Sequence, residues 1–227
     1  MSLETFPSTE AAAQAAADAI VARLTPPGPK HLMVTGGRSP GPVYDRLAKI
    51  DLDWSRITVT LSDDRFVGAD SPDSNERLVR ERLLQHRAAT ATLVPIKGEG
   101  PTPAADAKAV GPAIRDLTPF DVTLLGMGDD GHIASLFPST PDVAALLDPS
   151  CEHYAVGVEV PGRAPYVPRI SLTGRALLDS KLILLLTNGE ARKALLERVL
   201  TDPAFAPPVS ALIRQTRAPV RLLWSPG

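Results

Sequence analysis

The stretch Asp121-Val122-Thr123-Leu124-Leu125-Gly126-Met127-Gly128-Asp129-Asp130-Gly131-His132-Ile133-Ala134-Ser135-Leu136-Phe137-Pro138 decides how this chain is read. Its first residues, Asp121 to Leu125, are a short apolar and β-branched run after Pro119, which predicts a buried central strand. Gly126, Gly128 and Gly131 then permit positive φ and let a ligand come close to the backbone. Asp130 is placed to cap a helix opening near His132. A carboxylate and an imidazole thus stand at the carboxyl end of a strand, where open α/β sheets bind their ligands. A tight turn in which Asp130 merely caps and His132 is solvated fits these residues equally well, since a short motif is only a hypothesis.

Working outward, strand and helix signals alternate. Pro7-Ser8-Thr9-Glu10 followed by Ala11 to Leu24 reads as a capped, alanine-rich helix that Pro26-Pro27-Gly28-Pro29 ends. His31 to Thr35 is a predicted strand running into Gly36-Gly37-Arg38-Ser39-Pro40, with Ser39 expected as N-cap and Pro40 as first helical residue of a helix to about Lys49. Ile57 to Leu61 is the next strand, followed by the polar loop Ser62-Asp63-Asp64-Arg65. Asp73-Ser74-Asn75-Glu76 has capping-box spacing and opens a helix to about His86. Thr92 to Pro95 reads as a strand and residues 103–117 as a helix. Further strands are expected at Tyr154–Val158, Arg169–Thr173, Lys181–Thr187 and Val220–Trp224, with a helix over Glu190–Leu200. This alternation predicts an α/β fold, a doubly wound and largely parallel sheet with helices on both faces and right-handed crossovers.

Composition narrows the function. A chain of 227 residues is expected to form one domain, 1–227, burying roughly 70% of its unfolded surface. With 44% hydrophobic and 22% charged residues and a formal net charge of −2, it carries no bulk basicity suited to nucleic acid, so an anionic ligand must be held by local groups. The N-terminus lacks a basic segment followed by an apolar one, and no run approaches the ~18 apolar residues of a membrane span, so a cytoplasmic protein without membrane partners is expected. Cys151 is the single cysteine, which excludes an intramolecular disulfide and a cysteine-based metal cluster.

Three loops at strand carboxyl ends carry function-like residues: Gly36 to Ser39, Ser62 to Arg65 and Gly126 to His132. Sheet topology gathers such loops into one crevice. The first looks like an anion cradle, with glycine N–H groups and a helix N-terminus, but it matches neither the dinucleotide nor the nucleotide glycine loop. Read in order, these segments resemble the 6-phosphogluconolactonases, within the wider glucosamine-6-phosphate isomerase/deaminase superfamily. Gly36 to Pro40 resembles the family's Gly-Gly-Ser-Thr-Pro phosphate loop, and Ser62 to Val67 its Ser-Asp-Glu-Arg-x-Val. Ser74-Asn75 resembles its Ser-Asn pair, and Gly126 to Pro138 its Gly-Met-Gly-x-Asp-Gly-His-x-Ala-Ser-Leu-Phe-Pro signature. Pro168 to Thr173 resembles its Pro-x-Arg-Ile-Thr-Leu-Thr strand, and Lys193 falls where the family has a phosphate-binding lysine. Arg38 replaces the first hydroxyl of the phosphate loop, and Asp64 replaces a glutamate with a shorter carboxylate.

The resemblance implies hydrolysis of 6-phosphoglucono-δ-lactone to 6-phosphogluconate, with no metal or cofactor required and no partner beyond this sugar-phosphate lactone. It implies His132 as general base on water, Asp130 orienting the imidazole or favouring its protonated form, and Arg65 holding substrate or stabilising developing negative charge. It places Gly36, Gly37, Arg38, Ser39, Asp63, Gly128, Arg169 and Lys193 against the substrate and its phosphate. A monomer or small homo-oligomer is expected. A sugar-phosphate isomerase or deaminase is the nearest alternative; deaminases of the superfamily place a catalytic glutamate in an Asn-Glu-Pro sequence where this chain has Leu136-Phe137-Pro138. A non-catalytic sugar-phosphate sensor is another, although no helix-turn-helix segment precedes the fold. Pro161 to Tyr166 reads either as a flap over the site or as a surface loop.

Overall fold

The computed structural model describes residues 2–159 and 167–227, so the proposed flap Pro161–Tyr166 lies outside the described residues. Ten strands are formed among them: β1 Leu3–Thr5, β2 Lys30–Val34, β3 Ile57–Leu61, β4 Asp63–Arg65, β5 Thr92–Val94, β6 Val122–Leu125, β7 Ala155–Val158, β8 Arg169–Leu172, β9 Ile183–Asn188 and β10 Val220–Ser225. Seven make one sheet in the order β1-β10-β9-β6-β2-β3-β5, with every pairing parallel. The chain winds outward from β2 through β3 to β5, returns to the other side of β2 as β6, and continues through β9 to β10. The direction of winding therefore reverses between β2 and β6. A parallel sheet covered on both faces needs apolar residues at consecutive positions. Leu32-Met33-Val34 and Ile183 to Leu186 supply them, all buried, and Val122 to Leu125 does so with a single polar residue, Thr123.

The helices follow from stripe and cap. In helix Thr9–Leu24 the buried residues are Ala12, Ala13, Ala16, Ala17, Ile20 and Leu24, and Ser8 Oγ accepts from Ala11 N at 3.2 Å. Alanines on that face bring the helix axis close to the sheet. Helix Pro103–Leu117 runs over the expected residues, capped by Thr102. Helix Asn75–Arg82 is shorter than expected and is capped by Ser74, whose Oγ accepts from Arg77 N at 3.3 Å.

Three expectations are corrected. Ser39 is not an N-cap: the helix runs over Gly41–Leu47 with Pro40 at the cap position and no side-chain cap bond. Gly41 N already bonds to Arg38 O in a preceding turn, which leaves the Ser39 hydroxyl outside the helix. No helix opens at His132 either. Gly131 (φ +80°) and Ala134 (φ +49°) break the helical backbone twice within four residues, and Ile133 and Leu136 form an isolated bridge instead. Ser62 to Arg65 is not a loop throughout, because Asp63–Arg65 is strand β4 of a second, antiparallel sheet ordered β4-β8-β7.

The amino edge of the main sheet is tied by one carboxylate. Asp121, buried, accepts from His31 N at 2.9 Å and pairs with Lys181 Nζ at 2.9 Å and Lys30 Nζ at 3.4 Å, linking the starts of β2, β6 and β9. Burial by itself raises its pKa, but the His31 N–H and the two ammonium groups outweigh that and hold it below the usual carboxylate value. A folded-state value depressed in this way gives stability that is present above the unfolded-state value, around pH 4, and is lost as pH falls through the folded one. Asp121→Asn is therefore expected to lower the melting temperature at neutral pH, with the gap to the parent closing as the pH is taken below that range. Thermal melts across the acid limb read this directly, and a pH-independent gap contradicts it.

Candidate active site

A cavity of about 670 Å³ opens at the carboxyl end of β2 and β6, where the winding reverses. Each wall is the continuation of a strand. Gly36 to Pro40 follow β2; Gly126 to Gly128, His132 and Ala134 follow β6; Asn188 ends β9 and Arg192 follows it. The second sheet brings Asp63, Arg65 and Arg169, and Asn75 closes the corner. Of the residues expected at the site, Gly36, Gly37, Arg38, Ser39, Asp63, Arg65, Gly128, His132 and Arg169 lie on the wall. Asp130 stands behind the imidazole.

His132 is held from several sides. Its Nδ1 is 2.5 Å from Asp130 Oδ1, and the same oxygen accepts from His132 N at 3.1 Å. The Phe137 ring, 2% exposed, lies 4.4 Å from the imidazole, centroid to centroid, at 49°. An ionised carboxylate only accepts, so Asp130 assigns the proton of the neutral imidazole to Nδ1 and leaves the lone pair on Nε2. Gly128 makes room for this arrangement. A Cβ on Gly128 falls 2.0 Å from His132 Cε1 and 2.1 Å from Nδ1.

Strand alternation sorts the three residues of β4. Asp63 and Arg65 face the cavity, while Asp64 points behind it. Asp63 accepts from Ser62 Oγ at 3.0 Å and Ser135 Oγ at 2.6 Å, and Ser135 Oγ also accepts from Arg169 Nη1 at 3.4 Å. Arg65 and Arg169 are register partners across β4 and β8, so two guanidinium groups share one face. Like charges directly opposite each other are unfavourable unless something anionic comes between them. Arg65 Nη1 donates to Asp73 O at 2.8 Å and Asn75 Oδ1 at 3.1 Å, whereas its Nε is buried without a hydrogen-bond partner among the described residues. Asn75 Nδ2 in turn donates to Asp63 O at 2.9 Å. A Cβ on Gly36 would lie 1.9 Å from Asn75 Oδ1, so the glycine lets Asn75 reach the first loop.

Lys193, expected at the phosphate, is not among the residues lining this cavity. Its ammonium lies 4.5 Å from the centroid of the Trp224 ring. Arg192 takes the inward position, beside Asp129 Oδ1 at 2.9 Å and Asn188 Oδ1 at 2.9 Å. The cause is helical phase. In helix Glu190–Thr201 the buried residues are Leu196 and Val199, and Arg192 precedes them at the spacing that keeps one face, while Lys193 is turned by about 100°. That stripe was available in the sequence as the signal for Arg192. Asn188 and Ser135 carried no comparable signal, because their roles depend on contacts distant in the chain.

Four guanidiniums and a carboxylate-bound histidine stand together at the sheet's switch point, which makes the crevice cationic and polar. The family described as glucosamine-6-phosphate isomerases/6-phosphogluconolactonase matches residues 7–224, and this chain belongs to it. It is 44% identical over 227 residues to the 6-phosphogluconolactonase of Caulobacter vibrioides, covering 98% of this chain and 97% of that protein. The crystal structure of a 6-phosphogluconolactonase from Shewanella baltica superposes with a TM-score of 0.90 at 35% identity, over 98% of this chain and 97% of the other. A monomeric glucosamine-6-phosphate deaminase shares the fold, with a TM-score of 0.81 at 20% identity over 99% and 97% of the two chains.

Gly128→Ala is expected to push the His132 imidazole out of place; on the reading of His132 as a reacting group, a displacement of about 1 Å lowers turnover by on the order of a hundredfold. Steady-state kinetics beside a circular-dichroism melt separate this from unfolding. Parent-like turnover removes the constraint.

Proposed function

We propose that this chain hydrolyses 6-phosphoglucono-δ-lactone to 6-phosphogluconate. The observation that carries the reading is the Asp130–His132 pair on the wall of a guanidinium-rich cavity. The lactone carbonyl carbon needs a nucleophile, and the imidazole Nε2, bare while Nδ1 is bound to Asp130, takes one proton from water as its oxygen bonds to C1. The carbonyl oxygen becomes an oxyanion, for which Arg65 supplies a permanent positive charge. The C1–ring oxygen bond then breaks, and the imidazolium returns its proton to the ring oxygen as that becomes a hydroxyl. The new carboxylic acid ionises to the product. Asp130 stabilises the imidazolium between the two transfers.

The 6-phosphate is assigned to the Gly36–Ser39 loop with Arg169 and Arg192, whose N–H groups form charge-assisted hydrogen bonds with phosphate oxygens. Arg38, exposed at the rim, adds positive charge there. Phe137 supports hydrolysis over ring-opening and deamination: it stands where the deaminases of the superfamily carry a glutamate, and a phenyl ring cannot relay a proton.

The deciding assay follows freshly prepared lactone, corrected for spontaneous hydrolysis, beside ammonia release from glucosamine 6-phosphate. Acceleration of the second reaction alone overturns the proposal. His132→Asn is expected to lower kcat by about 10² to 10⁴, the usual contribution of general acid–base catalysis. Binding of 6-phosphogluconate by calorimetry should stay within about threefold, because the phosphate contacts are untouched. An unchanged kcat removes His132 from the mechanism. For the phosphate, Arg192→Ala is expected to raise KM at least tenfold, as loss of a charged hydrogen bond of roughly 1.5 to 3 kcal/mol requires, and Lys193→Ala much less. Equal effects on unphosphorylated gluconolactone contradict the phosphate assignment.

A further inference from the structure

Lys97 lies behind the cavity wall with its side chain 7% exposed, and its ammonium is committed to a single loop. Nζ is 2.9 Å from Asp64 Oδ2, 2.9 Å from Val67 O and 3.1 Å from Ser74 Oγ. Asp64 is wholly buried and its carboxylate gathers the rest of that loop. Oδ1 accepts from Arg65 N at 2.7 Å and Asn75 N at 2.6 Å, while Oδ2 accepts from Glu76 N at 3.1 Å and Ser74 Oγ at 3.1 Å. Residues 65 and 75 are thereby clamped to one oxygen. Asn75 then accepts from the Arg65 guanidinium on the cavity side.

We propose that Lys97 is a positioning residue: it fixes the Asp64 carboxylate as shared acceptor for the Arg65 and Asn75 amides, and so sets where the Arg65 guanidinium stands in the cavity. A buried carboxylate without a cation is strongly disfavoured, and it would be relieved by taking up a proton or admitting water. Either response costs Asp64 acceptor capacity and loosens the Arg65 and Asn75 backbones together. Lys97 comes from the segment after edge strand β5, far from the other walls of the site, so its contacts serve this one loop. The role in turnover rests on the lactonase reading; the positioning itself does not.

Lys97→Met keeps the apolar stem and removes the charge. It is expected to lower kcat about ten- to a hundredfold, the usual scale for residues acting through an active-site group, with KM for the lactone moving less than about threefold. In an Arg65→Ala background the same change is expected to lower kcat by no more than about twofold, because the group it positions is gone. Amide hydrogen exchange supplies a readout independent of chemistry: Arg65 and Asn75 should exchange at least about tenfold faster, with the β6 amides unchanged. If Lys97→Met does not fold, the Asp64→Asn/Lys97→Met pair removes both charges at once and carries the same readouts. An equal kcat loss with and without Arg65, or unchanged exchange at Arg65 and Asn75, overturns the proposal. Faster exchange in a protein that does not accelerate lactone hydrolysis supports the positioning role and overturns only the assigned reaction.

Discussion

Strands β2 and β6 are hydrogen-bonded neighbours whose chains leave in opposite directions, and every part of the site depends on that divergence. The connections carry one half of the sheet to each side, so neither following helix covers the gap above the two carboxyl ends. Into the gap project the first loop, Gly36 to Pro40, and the turn that holds His132. At the opposite edge Asp121 binds the starts of β2, β6 and β9, fixing the same strands from below. The crevice is thus a consequence of winding order, and its residues converge although they are distant in sequence.

The second sheet gives the crevice its charge. A short antiparallel pair places Arg65 opposite Arg169, an arrangement that opposes folding unless anions or hydrogen-bond acceptors offset it. Acceptors are present in quantity: Asp73 O and Asn75 Oδ1 for Arg65, Ser135 Oγ for Arg169. With Arg38 and Arg192 at the other walls, a chain of formal net charge −2 presents a cationic interior. Net charge therefore says little about the ligand here. The local field in the cleft decides it.

Much of this was legible in the sequence, for physical reasons. Buried parallel strands need continuous apolar runs, and Leu32-Met33-Val34 and Ile183 to Leu186 are of that kind. Strand β4 was hidden because its alternation separates a polar cavity from a polar interior, so Asp63-Asp64-Arg65 shows no apolar face. The helix expected at His132 failed because carboxylate capping is a local signal, whereas positive φ at Gly131 and Ala134 is fixed by the surrounding fold. Lys193 and Arg192 differ by a single position, which a motif tolerates and a helix does not. Asp64, which replaces a glutamate of the motif, is a buried acceptor behind the cavity wall.

The fold does not by itself choose the reaction, since the deaminase of 20% identity superposes as well as a 6-phosphogluconolactonase from Thermotoga maritima does, with TM-scores of 0.81 and 0.80. The choice lies in what surrounds the imidazole. Phe137 packs against His132 at 4.4 Å and lies 5.3 Å beneath the Arg169 guanidinium, so its ring faces both the imidazole and a cation of the site. A carboxylate in that buried position would sit within reach of both and would draw their charge to itself. An apolar ring leaves Asp130 as the carboxylate bonded to the imidazole. One buried aromatic side chain thus sets the surroundings of the His132 imidazole, which the shared fold leaves open.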